Sequence, residues 1–184
     1  MTTAITLKDI TIHPVVEQQG PFFDVMEFFP TLTKELLEEN RSWLQPTFID
    51  PVSGRLVLCV QSFVIKTPHH NILIDSCVGN HKPRPARPFW NMMNSDRFEK
   101  NLAAAGLGVN DIDYVMCTHL HVDHVGWNTR LENGRWCRLF QRQNTSWQTA
   151  SSRTGRRRRR RIRRAFLGSL TQFCQSLRPS ACRL

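Results

Sequence analysis

The chain has 184 residues, a length that suits one globular domain, and 40% of its residues are hydrophobic, enough to form a core. Its formal net charge at pH 7 is +10. No amino-terminal segment combines a basic start with an apolar run of signal-peptide length, and no segment approaches the ~20 apolar residues of a membrane span. We therefore expect a cytoplasmic protein with no membrane partner.

The first third of the chain predicts strands followed by a helix. The segment from Ile5 to Val16 is typical of one or two strands, which we expect to end at the Gln19-Gly20-Pro21 turn signal. Thr31 or Thr33 can cap a helix that runs to about Trp43. The charged and apolar residues of this helix separate well enough to give it one apolar side.

A hairpin is predicted next. Residues Arg55 to Lys66 alternate like a strand, and Ile72 to Ile74 is typical of the returning strand. Between them, Thr67-Pro68-His69-His70-Asn71 has the composition of a turn. Histidines beside a proline in such a turn are expected to be exposed, so we do not count His69 and His70 as metal ligands.

The last regular elements of the body are a helix and a strand. Residues Asp96 to Gly106 predict a helix closed by glycine, and Asp113 to Cys117 predict a buried strand. In α/β-type folds the functional residues usually lie at the carboxyl ends of the strands. The residues that follow Cys117 are therefore the first place to look for a site.

Three histidines and an aspartate follow that strand within six residues: His119, His121, Asp123 and His124. On extended chain His119 and His121 point to the same side, so both imidazoles can reach one ion. Asp123 and His124 follow where the chain is expected to turn. Their side chains then point in directions different from those of His119 and His121, which suits a second ion. Imidazole and carboxylate together favour zinc, with manganese or iron possible where oxygen ligands dominate.

The pattern His119-x-His121-x-Asp123-His124 resembles the H-x-H-x-D-H signature of the metallo-β-lactamase superfamily of hydrolases. Residues Ile72 to Gly79 also resemble the strand-then-aspartate segment that precedes this signature. The body is most similar to the branch that contains N-acyl-homoserine lactonases and organophosphate hydrolases. The resemblance implies an α/β (α+β) fold that forms the first half of a four-layer αββα sandwich.

The resemblance also implies a two-zinc site and its chemistry. One ion is held by His119, His121 and a later histidine, and the other by Asp123, His124, a later bridging aspartate and a further histidine. Two such ions activate a shared water for attack, with Asp123 as a catalytic proton carrier. Asp75 would orient the histidine loop. The expected reaction is hydrolysis of a small-molecule lactone or other ester.

The charge of the chain is concentrated in its carboxyl-terminal tail, residues 137–184. Residues 1–136 carry 12 basic and 15 acidic side chains, a net charge of −3, whereas the tail carries 13 arginines with no lysine, histidine, aspartate or glutamate. The tail therefore offers none of the later ligands that the resemblance implies. A catalytic zinc normally has three protein ligands and a water, so we expect weak metal occupancy and impaired turnover.

The tail has two competing interpretations. The run from Arg156 to Arg161, with Arg163 and Arg164, could bind nucleic acid or direct nuclear localisation. A frameshift explains more. If the gene once had TGG-GTG-CCG, loss of one G gives the codons of Trp136, Cys137 and Arg138. In the restored frame residues 137–148 can encode V-P-T-F-P-T-P-K-Y-L-V-A, which is strand-forming and similar to the family's continuation.

The sequence thus predicts a partial hydrolase domain over residues 1–136 and a disordered, out-of-frame tail over residues 137–184. The alternatives are a nucleic-acid-binding or RNA-processing protein that uses the tail, and a nonfunctional pseudogene product. We expect no specific nucleic-acid partner, although a +13 arm invites nonspecific contact with acidic polymers. The sequence makes no prediction of an oligomeric state.

Overall fold

The computed structural model of the protein describes residues 4–140 and the backbone of residues 144–147. The strands are β1 (Ile5–Leu7), β2 (Ile10–Asp24), β3 (Arg55–Lys66), β4 (Asn71–Ile74), β5 (Tyr114–Cys117), β6 (Thr129–Glu132), β7 (Arg135–Arg138) and β8 (Asn144–Trp147). The α-helices are α1 (Val25–Phe28), α2 (Lys34–Leu44) and α3 (Arg97–Ala104). Single 3-10 turns cover Pro88–Trp90, Val109–Asp111 and Gly126–Asn128. No helix in the described part of the chain is long and apolar enough to cross a membrane.

The main sheet has the strand order β1-β2-β3-β4-β5-β8, and β6 and β7 form a separate hairpin. Strands β3 and β4 pair antiparallel, whereas β4 pairs parallel with β5, and β5 pairs parallel with β8. Parallel neighbours need a long connection, and α3 lies in the one between β4 and β5. The carboxyl ends of β4 and β5 are therefore brought side by side.

The two faces of this sheet differ in burial. Val64, Leu73 and Val115 are paired across β3, β4 and β5 and are at most 1% exposed. The neighbouring row on the other face pairs Phe63 with Ile74 and Ile74 with Met116. Phe63 is 38% exposed and Met116 is 44% exposed. One face is thus the core of this part of the molecule, and the other presents apolar side chains to solvent.

The Cα positions group into two compact units. One comprises the described chain up to Glu17 and from Gln61 onward, and the other comprises Gln18–Val60. The smaller unit has its own apolar cluster of Val25, Ile49 and Leu56, against which Leu37 and Leu44 of α2 pack. Every predicted site residue belongs to the larger unit.

Most predicted elements agree with the structure. Strand β3 has the predicted bounds, and α2 begins after Thr33, whose hydroxyl accepts a hydrogen bond from the Leu36 N–H at 3.2 Å. His69 and His70 are exposed, as expected. The predicted strand end at residues 19–21 is wrong, because β2 continues to Asp24. Pairing along a sheet overrides a local glycine-proline signal here.

The β6–β7 hairpin was not predicted, although the sequence carries a signal for it. Asn133 and Gly134 form its two-residue turn with φ angles of 49° and 78°. Asparagine and glycine tolerate positive φ, so this dipeptide is the usual centre of a tight hairpin. The predicted domain boundary after Trp136 falls inside β7, and Cys137, Leu139 and Phe140 beyond it are buried. The arginine run lies outside the described residues, as do residues 141–143 and the rest of the tail from residue 148, so the domain division stays a prediction.

Candidate metal centre

The predicted site begins where β4 and β5 end next to each other. Asp75 follows β4 and Thr118 follows β5. Asp75 Oδ1 accepts a hydrogen bond from the Thr118 N–H at 2.8 Å, and the Thr118 hydroxyl donates to Asp75 Oδ2 at 2.8 Å. The Asp75 N–H donates to the Met116 carbonyl at 2.9 Å. The aspartate thereby ties the end of one strand to the start of the loop that carries the histidines.

The structure brings the four predicted ligands together. His119 Nε2 lies 3.1 Å from His121 Nδ1, and His124 Nε2 lies 3.4 Å from Asp123 Oδ2. The ring centroids of His119 and His124 are 3.8 Å apart, so the two pairs adjoin. Strand β5 ends at Cys117, and His119 and His121 lie on a bend rather than on extended chain. The expected meeting of these two imidazoles occurs, but strand geometry does not produce it.

These spacings suit zinc. A tetrahedral zinc with bonds of ~2.0–2.1 Å places neighbouring ligand atoms about 3.3 Å apart. The 3.1 Å and 3.4 Å separations are close to this value, and they join the residues that the sequence assigns to one ion in each case. The donor types, imidazole nitrogen and carboxylate oxygen, are also those that zinc takes. The residues present therefore fit a metal ion, as two pairs.

Each of the two pairs falls short of a complete ligand set for zinc. In the described part of the chain, no group of three or more His, Cys, Asp or Glu side chains is arranged to hold a metal ion. Each pair supplies two ligands, whereas a stable zinc site usually takes three or four from the protein.

Asp75 also fixes the orientation of His124. Its Oδ2 lies 2.8 Å from His124 Nδ1, which leaves Nε2 of this imidazole directed toward Asp123. Burial disfavours the charged imidazolium, but the contacts with Asp123 and Asp75 outweigh it and raise the pKa of His124 to about 9. Burial also opposes ionisation of Asp75, yet hydrogen bonds from His124 and Thr118 lower its pKa below the usual value. The pair is therefore ionic at neutral pH.

Two charged residues that contact the segments around the predicted ligands, Glu17 and Arg84, were not predicted from the sequence. Glu17 on β2 is fully buried and contacts the segments that carry Asp75 and His124. Its signal was available, since it occupies an inward position of an alternating strand next to Val15. Arg84 donates to the Val122 carbonyl at 3.3 Å. A contact between residues 38 positions apart leaves no local pattern in a sequence.

Comparison with protein families gives a match over part of the chain. Residues 57–144 match the model described as the metallo-beta-lactamase superfamily. Comparison with curated proteins gave no match.

Solved structures show the same fold. A probable metal-dependent hydrolase from Staphylococcus aureus is similar with a TM-score of 0.67 and 19% identity over 94% of this chain and 59% of that one. Hydrolase AbOPH of the beta lactamase superfamily has a TM-score of 0.67 and 17% identity over 95% and 55%. AidC, a dizinc quorum-quenching lactonase in complex with a product, has a TM-score of 0.58 and 17% identity over 78% and 43%. The chain thus spans about half the length of these proteins.

Proposed function

We propose that this chain, which carries a metallo-β-lactamase superfamily domain over residues 57–144, is a metal-dependent hydrolase of small-molecule lactones or other esters whose activity is impaired in this form. The observation that carries the proposal is the spacing of the two side-chain pairs, 3.1 Å for His119 with His121 and 3.4 Å for Asp123 with His124. The structural likeness to a dizinc lactonase supports the choice of metal and substrate.

The residues have separate tasks in this proposal. His119 and His121 would hold one zinc ion, and Asp123 with His124 would hold a second. Zinc in such a site supplies Lewis-acid activation of water and of the ester carbonyl. Burial opposes ionisation of Asp123, but its contact with His124 outweighs burial and lowers its pKa. Its carboxylate is therefore charged at neutral pH, and it can accept a proton from the attacking water and pass it to the leaving alkoxide.

Impairment follows from the number of ligands. Two protein ligands per ion hold zinc more weakly than the usual three, and they orient it less well. We therefore propose low zinc occupancy and little turnover for these 184 residues, in a cytoplasmic setting. Nucleic-acid binding by the arginine run stays a prediction, because that run lies outside the described residues.

Zinc content and lactone hydrolysis test the proposal together. We expect fewer than two zinc ions per chain after desalting, and hydrolysis of N-hexanoyl-L-homoserine lactone close to the uncatalysed rate. His121→Ala should weaken zinc binding at least tenfold, since an exposed ligand is lost with little effect on packing. The matched control is His69→Ala in the exposed turn, which should bind zinc like the unmodified protein. Two tightly held zinc ions with rapid turnover would refute the impairment, and unchanged binding by His121→Ala would refute the ligand assignment.

We also propose that the residues after Trp136 are read in a shifted frame. The family match ends at residue 144, close to this junction. Strand β8 covers Asn144–Trp147, where the restored frame can encode K-Y-L-V, a much stronger strand-former than N-T-S-W. Sequencing the gene around the Trp136 codon in independent isolates tests the proposal. An extra G followed by an open frame that restores histidines and aspartates is expected, and an identical frame in every isolate would contradict it.

A further inference from the structure

A carboxylate with no place in the proposed chemistry lies behind the metal loop. Glu17 is 0% exposed. Its Oε2 accepts a hydrogen bond from the Val78 N–H at 2.8 Å, and its Oε1 accepts from the Gly79 N–H at 2.9 Å and from Trp127 Nε1 at 2.5 Å. A charged group is buried at a cost unless its hydrogen-bonding capacity is used. Here three N–H donors from two different segments use it.

Those two segments are joined to each other by their backbones. The Ser76 N–H donates to the His124 carbonyl at 2.9 Å, the Gly126 N–H to the Cys77 carbonyl at 2.8 Å, and the Trp127 N–H to the Ser76 carbonyl at 2.7 Å. One segment begins at Asp75 and the other at His124, which are in contact through their side chains. The register of these three bonds therefore sets where His124 stands relative to Asp75.

Both carboxyl oxygens of Glu17 accept hydrogen bonds from N–H donors, as the oxygens of a carboxylate do. Burial raises the pKa of Glu17 above its ordinary value, and the hydrogen bonds from Val78, Gly79 and Trp127 together with the charge of Arg84 offset only part of that rise. Arg84 Nη2 also donates to the Val78 carbonyl at 3.0 Å and to the Val122 carbonyl at 3.3 Å. Glu17 and Arg84 thus both bind Val78, Glu17 through its N–H and Arg84 through its carbonyl, and Arg84 also joins this segment to Val122.

We infer that Glu17 is a positioning residue for the metal centre, because it holds the segments that begin at Asp75 and His124 in the register that orients His124. This inference rests on the proposed metal-binding function. Glu17 touches none of the four proposed ligands, so it acts only through the two segments that it joins. A glutamine of the same shape cannot replace it, because its amide N–H₂ would face a backbone N–H donor.

Glu17→Gln and Trp127→Phe test the inference, because each changes one partner of the hydrogen bond between Trp127 Nε1 and Glu17 Oε1. Trp127→Phe removes the Nε1 donor but keeps a ring that can stack on Phe98, now 5.1 Å away between centroids. The control is Glu39→Gln, the same chemical change on an exposed position of α2. Zinc and cobalt(II) alone are the probes. Affinity is measured by calorimetry, and ligand geometry is measured from the cobalt absorption spectrum.

We expect Glu17→Gln to lower zinc affinity about tenfold and to alter the cobalt spectrum, and Trp127→Phe to act in the same direction less strongly. In the metal-free protein, amide hydrogen exchange at Ser76, Gly126 and Trp127 should accelerate at least tenfold in Glu17→Gln. Exchange at Leu102 in α3 should not change. Glu39→Gln should match the unmodified protein in all three measurements.

Unchanged zinc affinity with accelerated exchange would overturn the inference and leave Glu17 a purely structural residue. Unchanged exchange would overturn it as well. If Glu17→Gln does not fold, Trp127→Phe decides by the same criteria. Failure of the unmodified protein to bind zinc contradicts the proposed function instead, and the exchange comparison still shows whether Glu17 holds the two segments.

Discussion

Replacing Gly126 with alanine is expected to unfold the metal loop, the loop that carries His119, His121, Asp123 and His124, and much of the larger unit to which it belongs. A Cβ at this position would lie 1.8 Å from the Val78 carbonyl oxygen and 2.6 Å from the Cys77 carbonyl oxygen. Both atoms belong to backbone, so no side chain can rotate away to make room. We expect the free energy of unfolding to fall by more than about 3 kcal/mol, at the upper end for overpacking. Urea unfolding followed by tryptophan fluorescence measures this loss of stability.

Gly20→Ala is the matched control for this substitution. The nearest atoms to a Cβ at Gly20 are on the Phe22 ring at 3.7 Å, an ordinary van der Waals contact. Its effect should stay within about 1 kcal/mol. Equal stability of Gly126→Ala and the unmodified protein would mean that the segments after Asp75 and His124 do not approach each other as closely as the structure shows.

This close approach illustrates what the sequence could and could not predict. The glycine was visible at the end of the histidine motif, but the atoms that exclude a side chain there come from Cys77 and Val78, almost fifty residues earlier. Local patterns did predict the strand before the motif and the position of Asp75 at the end of β4, because a run of apolar residues marks each buried strand. Contacts between distant segments depend on the assembled sheet, and no periodicity encodes them.

The ligand cluster shows the same division. Residue type and spacing identified His119, His121, Asp123 and His124, and the structure brings these side chains into contact. The reason given for the first pair, alternation along an extended strand, was wrong, because the chain bends after Cys117. Glu17 was not predicted because a glutamate in a strand is usually solvent-facing, although it shares the inward face of β2 with Val15; its three N–H partners compensate for its burial.

Asp75→Asn should weaken zinc binding in a way that depends on pH. Asparagine keeps the size of the side chain, but it loses the charge that holds His124 Nδ1 and one of the oxygens that bind Thr118. Loss of a residue that orients a ligand typically costs about 10-fold to 100-fold in metal affinity. At pH 9, where proton competition is small, we expect the full loss.

The direction in which zinc affinity changes with pH follows from the raised pKa of His124. Its pKa of about 9 means that a metal ion must displace a proton at neutral pH, so zinc affinity of the unmodified protein should rise about tenfold per pH unit from 7 toward 9. His119 has a lowered pKa, caused first by burial and then by the other two histidines, and it is already neutral in this range. Asp75→Asn removes one of the two carboxylates that raise the pKa of His124.

Proton competition in Asp75→Asn is therefore weaker at pH 7, and its deficit in zinc affinity should be smaller there than at pH 9. Competition against a chelator of known affinity at both values measures the difference. Asp9→Asn, at an exposed site in the larger unit, should follow the unmodified protein at both. A deficit that is equal at pH 7 and pH 9 would show that Asp75 does not control the protonation of His124. In that case its contribution would be confined to orienting the imidazole ring.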